Sequence, residues 1–146
     1  KSIYYIVLMS KDKKFIQKAF IKHLKEFYDD LIILYPDNIE LKTGRTWIKS
    51  LEFMNPTVIP KGWHIWVTIP YGDDISTGTL DKMLNKNYKA DFKNYFGDKK
   101  TNKQLNAYDD WTLEIKKQIN NMDDINKKKS LKYVQNLCKL STFYVN

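Results

Sequence analysis

Two residues that could hold a metal ion lie in neighbouring stretches whose residues alternate between two faces, as in a β-strand. Glu52 falls on one face of residues 47–53, and His64 shares a face of residues 61–69 with Trp66. If the two strands pair antiparallel, the carboxylate and the imidazole lie on neighbouring strands of one sheet face. Carboxylate oxygens and imidazole nitrogens both bind divalent metal ions. The pattern therefore predicts a metal site on that face.

The strands that would carry this site belong to a predicted sheet of about five strands. Runs rich in apolar, β-branched and aromatic residues predict strands at 3–9, 30–35, 39–42, 47–53 and 61–69, and a short terminal strand at 142–145. Tyr71-Gly72-Asp73-Asp74 follows Pro70 and predicts a turn.

Three segments have apolar residues at helical spacing, beginning at Ser10 as N-cap, near Asp109, and near Asp124. A shorter helix is predicted at 79–84. Because strands dominate the first half of the chain and helices follow, we expect an α+β fold, a single antiparallel sheet with helices packed against it. Residues 1–146 fit one domain, in which the lysine- and asparagine-rich residues 85–107 predict a long loop or insertion.

The charge of the chain indicates what kind of partner it binds. It has 25 Lys and Arg residues against 17 Asp and Glu, a formal net charge of +8, which favours a polyanion such as nucleic acid. A coding sequence rich in A and T explains the lysines equally well. Arg45 is the one arginine, so binding of the phosphate backbone is favoured over reading of base edges. The predicted nucleic-acid-binding residues are Lys13, Lys14, Lys18, Lys22, Arg45, Lys61, Trp66, Lys128 and Lys132.

Other features of the composition indicate the cellular compartment of the protein and whether the chain crosses a membrane. Cys138 is the one cysteine, so an intramolecular disulfide is excluded, and its apolar neighbours predict a small core residue. No apolar run approaches the roughly 20 residues that a membrane span requires, so we expect no membrane partner. These features predict a cytosolic protein, in the host cytosol if the source is a virus.

The order of these elements resembles the HUH endonucleases, the replication initiators of rolling-circle plasmids and viruses. The motifs that carry the resemblance are "WIKSLEF", "KGWHIWVTI", "DDWTLEIKK" and "LKYVQNLCKL". The resemblance implies that Glu52 and His64 hold Mg²⁺ or Mn²⁺, that Tyr133 attacks a phosphodiester of single-stranded DNA, and that Lys139 stands near it. Trp66 occupies the position of the family's second histidine, and an indole cannot ligate such a cation.

Alternatives stand beside this nickase or replication-initiator hypothesis. With Trp66 in the metal site, the chain would bind single strands without cutting them. It could also be a non-catalytic nucleic-acid-binding or host-interaction protein of a virus or mobile element, with a protein partner. Glu40-Leu41-Lys42 after Asp30 or Asp37 has the order of carboxylates and lysine found in restriction-type nucleases. His23, on the apolar side of the first helix, is interpreted as a packed boundary residue.

Overall fold

The computed structural model describes residues 12–85 and 116–146, and 86% of these are helical. None of the described residues forms a strand, so the predicted α+β fold with an antiparallel sheet of about five strands is wrong for this part of the chain. The helices are α1 (Lys13–Leu34), α2 (Ile39–Met54), α3 (Val58–Trp63), a π-helix (His64–Thr68), α4 (Ile69–Thr77), α5 (Asp81–Asn85), residues 116–120, and α6 (Asp124–Val145).

Helix α1 is the predicted amphipathic helix, and it begins at a different cap and runs further than predicted. The Asp12 side chain accepts a hydrogen bond from the Lys14 backbone N–H at 2.9 Å, which makes Asp12 the N-cap. Leu31 is buried four residues after Phe27, on the same stripe. The strand predicted at 30–35 is therefore wrong, because its residues continue the helical period of α1.

Helix α2 replaces the strands predicted at 39–42 and 47–53. Asn38 caps it by accepting a hydrogen bond from the Leu41 N–H at 2.9 Å. Its buried residues, Leu41, Gly44 and Ile48, recur at helical spacing.

Helices α3 and α4 are joined through the π-helix without a break. Pro60 stands in the first turn of α3, where a backbone N–H lacks a partner within the helix. In a regular α-helix the ring of Pro70 would clash with the carbonyl four residues earlier. The turn before it is instead widened, and the Ile69 N–H bonds to the His64 carbonyl five residues back. The strand predicted at 61–69 is therefore wrong.

The chain turns at Gly78, which has a φ of 105° and ends α4. The turn predicted at 71–74 is wrong because those residues lie inside α4. The helix predicted at 79–84 corresponds to α5.

Helix α6 confirms the predicted third helix and extends it to Val145, so a terminal strand at 142–145 is wrong. Its N-cap is Asp123, whose side chain accepts from the Asn126 N–H at 2.8 Å. The strand predicted at 3–9, the loop from residue 86 onward and the start of the helix near Asp109 lie outside the described residues.

Helix α1 packs on α6 and α2, and α3, the π-helix and α4 pack on α6. Phe20, Leu137 and Leu140 have no exposed side-chain surface and form the centre of the described core. Phe20 of α1 lies edge-on to Trp63 of α3, with ring centroids 6.0 Å apart. This core fixes the outward faces of α1, α4 and α6.

Replacement by alanine should have opposite effects on stability at two of the glycines. At Gly62 in α3, an added Cβ would meet no atom within 4 Å. Gly62→Ala should therefore raise the free energy of unfolding by about 0.5–1 kcal/mol, because alanine loses less backbone entropy in a helix. At Gly78 the positive φ disfavours a side chain, so Gly78→Ala should lower the free energy of unfolding by about 1–2 kcal/mol. Urea unfolding of both variants measures the difference, and a destabilised Gly62→Ala protein would contradict a helix there.

Candidate nucleic-acid interface on helix α6

The outward face of α6 carries lysines and no acidic side chain. After Asp124 in the first turn, the helix contains five lysines and no Asp or Glu. Its buried residues lie on the opposite side, against α1, α3 and the π-helix. The five lysines, all exposed, are Lys127, Lys128, Lys129, Lys132 and Lys139. We call them the α6 lysine face.

The spacing of these lysines suits a row of phosphates. Lys128, Lys132 and Lys139 are four and then seven residues apart, which turns each of them to about the same side of the helix. With a rise of about 1.5 Å per residue they extend over roughly 16 Å. Strand phosphates in a duplex recur about every 3.4 Å along the axis. The face could therefore contact several phosphates of one strand.

A second row of lysines lies on α1. Lys14, Lys18 and Lys22 recur every four residues, and all three are exposed, as is Lys13. Their side chains belong to the same outward stripe of the helix. The structure thus places these four predicted binding residues on an accessible surface, as it does Lys128 and Lys132.

Other predicted binding residues have different surroundings. The Arg45 guanidinium is ion-paired with Asp29 of α1, with Nε to Oδ1 at 2.9 Å, and so ties α2 to α1. Lys61 is exposed on α3, and Trp66 is half-buried in the π-helix.

The described contacts place the predicted metal ligands against different helices. The Glu52 carboxylate is ion-paired with Lys25 of α1 at 2.9 Å. The Nδ1 atom of His64 lies 3.2 Å from Ser141 Oγ of α6. The sheet face on which the sequence was expected to join Glu52 and His64 is not formed, because both residues lie in helices. Within residues 12–85 and 116–146, no group of three or more His, Cys, Asp or Glu side chains is placed to hold a metal ion.

Tyr133, the predicted nucleophile, faces α1. Its hydroxyl donates a hydrogen bond to the Asp30 carboxylate at 2.6 Å, and its ring stacks on Phe27 with centroids 5.0 Å apart. Burial, and then the hydrogen bond to Asp30, raise the pKa of the Tyr133 hydroxyl. A raised pKa disfavours the phenolate, the form that attacks phosphorus. Lys139 instead lines a groove between α6 and α4.

His23 lies beside Tyr133, with ring centroids 4.8 Å apart, and its buried Nε2 has no hydrogen-bond partner among the described residues. Burial lowers the pKa of His23 below its usual 6.5, against a smaller raising effect of Glu26. The folded protein therefore favours the neutral ring, while the unfolded chain takes up a proton near pH 6.5. The contribution of the neutral His23 ring to the free energy of unfolding is therefore fully present above that pH and decreases as the pH falls below it.

This predicts a lower free energy of unfolding at pH 5.5 than at pH 7.5, measured by urea denaturation. His23→Gln should flatten the dependence, because the titrating ring is gone. An equal slope in the wild-type and His23→Gln proteins would contradict the assignment to His23.

A polar cluster joins the π-helix to α6. The buried Ser141 hydroxyl donates to the Cys138 carbonyl oxygen at 2.9 Å, and Thr68 Oγ1 lies 2.7 Å from Ser141 Oγ. Thr68 Oγ1 and His64 Nδ1 both lie within hydrogen-bond distance of Ser141 Oγ. Cys138 is buried, as predicted, and burial raises the pKa of its thiol. Sequence spacing carries no signal for this cluster, since Thr68 and Ser141 are 73 residues apart.

Beside this cluster, an open groove of about 400 Å³ separates α4 from α6. Gly72, Asp73 and Ser76 line it from α4, and Lys139 and Phe143 line it from α6. The sequence pattern missed this groove because it placed Asp73 in a turn.

None of the family models, curated proteins or solved structures with which the chain was compared matches it. Among the described residues, no helix is both long enough and apolar enough to cross a membrane.

Proposed function

We propose that this chain binds single-stranded DNA through the α6 lysine face, whose ammonium groups contact the phosphates. The single observation that carries the proposal is the composition of α6, with five exposed lysines and no acidic residue after Asp124. Lysine ammonium groups attract phosphates as point charges and do not form the planar fork with which arginine reads guanine. The chain's net charge of +8 adds long-range attraction for a polyanion.

The arrangement favours a single strand over a duplex. Phe143, with 41% of its surface exposed, lies on α6 one turn after Lys139. An aromatic ring beside lysines offers a surface on which an unpaired base can stack, a contact that is closed to bases within a duplex.

The test is a salt titration of binding to a fluorescent oligo(dT) of 20 nucleotides and to a duplex of mixed sequence. We expect the logarithm of the association constant for the single strand to fall with the logarithm of salt concentration, with a slope of about −0.7 for each phosphate contact. Three to five contacts on α6 then give a slope of roughly −2 to −3.5. Affinity that does not change with salt would contradict phosphate binding.

The same protein should leave the strand uncut. The nickase implied by the resemblance requires Tyr133 as nucleophile, and its hydroxyl is held by Asp30 with a raised pKa. Labelled single-stranded DNA incubated with the protein and Mn²⁺ should yield neither a nicked product nor a covalent adduct. A product that EDTA and Tyr133→Phe both abolish would overturn the non-catalytic form of the proposal and restore the nickase.

A protein partner is the second candidate, favoured by an apolar patch at the end of α2. Phe53 is 91% exposed and Met54 71% exposed, far more than a buried core allows. Phe53→Ser with Met54→Ser should leave DNA affinity unchanged if the patch serves a different partner. A loss of DNA affinity in this variant would instead assign the patch to the DNA site.

A further inference from the structure

We infer that the groove between α4 and α6 holds one unstacked base of the bound strand and prefers a base with an amino group, such as cytosine. The inference rests on the proposed function, because it places the strand along the α6 lysine face. Lys139 belongs to both surfaces, and Phe143, one turn after it on α6, also lines the groove, so a strand lying on the lysines passes the mouth of the groove. The groove, about 400 Å³, falls within the range of small-ligand sites.

Three polar side chains that line the groove already donate hydrogen bonds to backbone carbonyls within the protein. The Ser76 hydroxyl donates to the Asp73 carbonyl at 2.7 Å, and the Thr142 hydroxyl donates to the Cys138 carbonyl at 3.0 Å. The Gln135 amide nitrogen donates to the Ile75 carbonyl at 2.9 Å. The two hydroxyls can therefore offer a ligand only oxygen lone pairs, while Gln135 offers its amide oxygen and its second N–H.

Asp73 adds a carboxylate to this set of acceptors, and its side chain is exposed at the groove. A carboxylate repels phosphate but accepts a hydrogen bond from the amino group of cytosine. Thymine presents a carbonyl oxygen at that position, which the carboxylate repels. The carboxylate thus favours a ligand with an amino donor, while Lys139 attracts the phosphate.

The room for a base comes partly from Gly72, which lines the groove without a side chain. An added Cβ there would lie 3.6 Å from Thr68 Cγ2, an ordinary contact, so the backbone tolerates a side chain at this position. A leucine at the same position would extend beyond that Cβ and fill part of the groove. Gly72→Leu therefore blocks the groove without removing a charge.

The experiment compares binding of oligo(dC) and oligo(dT), each of 20 nucleotides, at pH 8 and one salt concentration. The wild-type protein should bind oligo(dC) roughly 5- to 100-fold more tightly, the range for one specific base contact. Asp73→Ala and Gly72→Leu should each abolish most of this preference while keeping the steep salt dependence of oligo(dT) binding. Asp37→Ala is the matched control, because Asp37 is an exposed aspartate in the turn between α1 and α2. It should keep the preference.

The outcomes separate the two proposals. If neither strand binds, the proposed function fails and the inference fails with it. If both bind with a steep salt slope but without a preference for cytosine, the function stands and the inference is overturned. A preference that survives Asp73→Ala and Gly72→Leu overturns it as well. Free dCMP that binds as tightly as oligo(dC) would make the groove a mononucleotide site, which also contradicts the inference.

Discussion

Phe20→Ala should lower the free energy of unfolding by about 3–5 kcal/mol, the largest effect that we expect from a single substitution. Phe20 has no exposed surface, and its ring lies edge-on to Trp63. Alanine removes the apolar surface that the ring buries and leaves a cavity between α1 and α3, because a closely packed core collapses only in part. Small domains are stable by only about 5–15 kcal/mol, so the variant should be partly unfolded at 37 °C.

Thermal and urea denaturation followed by circular dichroism at 222 nm measure this loss. Phe15→Ala is the matched control, since Phe15 stands on the same helix and is 47% exposed. It should cost less than about 1 kcal/mol, because about half of this residue already contacts solvent in the folded state. Equal losses in the two variants would contradict the orientation of α1.

Neutralising two lysines of α6 should have the largest effect on binding. Lys128→Gln with Lys132→Gln removes two charges one turn apart on the α6 lysine face. At about 0.7 in the salt slope for each contact, the slope should become shallower by about 1.4. Extrapolated from 1 M salt, where this attraction vanishes, the same two contacts correspond to roughly a 25-fold loss of affinity at 0.1 M.

Fluorescence anisotropy with oligo(dT) at several salt concentrations gives both quantities. The matched control is Lys42→Gln with Lys49→Gln, which removes two exposed lysines of α2 and changes the net charge equally. It should reduce affinity only through the overall field, by a few-fold at most. If both pairs weaken binding to the same extent, net charge and not the α6 face determines the affinity.

The helices that the sequence predicted correctly have apolar residues on one stripe and lysines elsewhere. In α1, Phe20, Leu24 and Phe27 recur at intervals that only a helix brings to one side. In α6, Val134, Leu137 and Ser141 do the same. Both helices pack along one side on the core and leave the other in solvent, so their pattern has a strong period. Their ends were less predictable because the pattern fades where α1 meets the turn after Leu34.

The wrong strands have a common cause. In residues 61–69, β-branched and aromatic side chains favour a strand locally, and prolines stand near both ends of the run. The structure accommodates Pro60 in a first turn and Pro70 behind a widened one, so neither proline interrupts the helix. Strand propensity depends on neighbouring strands to pair with, and here the helices around α6 provide the packing instead.

Only part of the candidate site was accessible to sequence reasoning. Six lysines of α1 and α6 were predicted because charge and helical period are visible in the chain itself, namely Lys13, Lys14, Lys18, Lys22, Lys128 and Lys132. Lys127 and Lys129 were not among the predicted binding residues, and Lys139 was placed near the tyrosine. The pairing of Tyr133 with Asp30 was not predicted, since 103 residues separate them and no spacing links a helix to its distant partner. Glu52 and His64 were joined on the assumption of a sheet, and their described partners Lys25 and Ser141 follow from helix packing.

The π-helix has a consequence for the rotational register of α4. A π turn is equivalent to one residue inserted into an α-helix, and each residue of an α-helix rotates the chain by about 100°. Deleting one residue between His64 and Thr68 would therefore swing α4 by about that angle. Ile75, now 1% exposed, would leave the core, and Asp73 would leave the groove. A single widened turn thus sets which side of α4 faces α6.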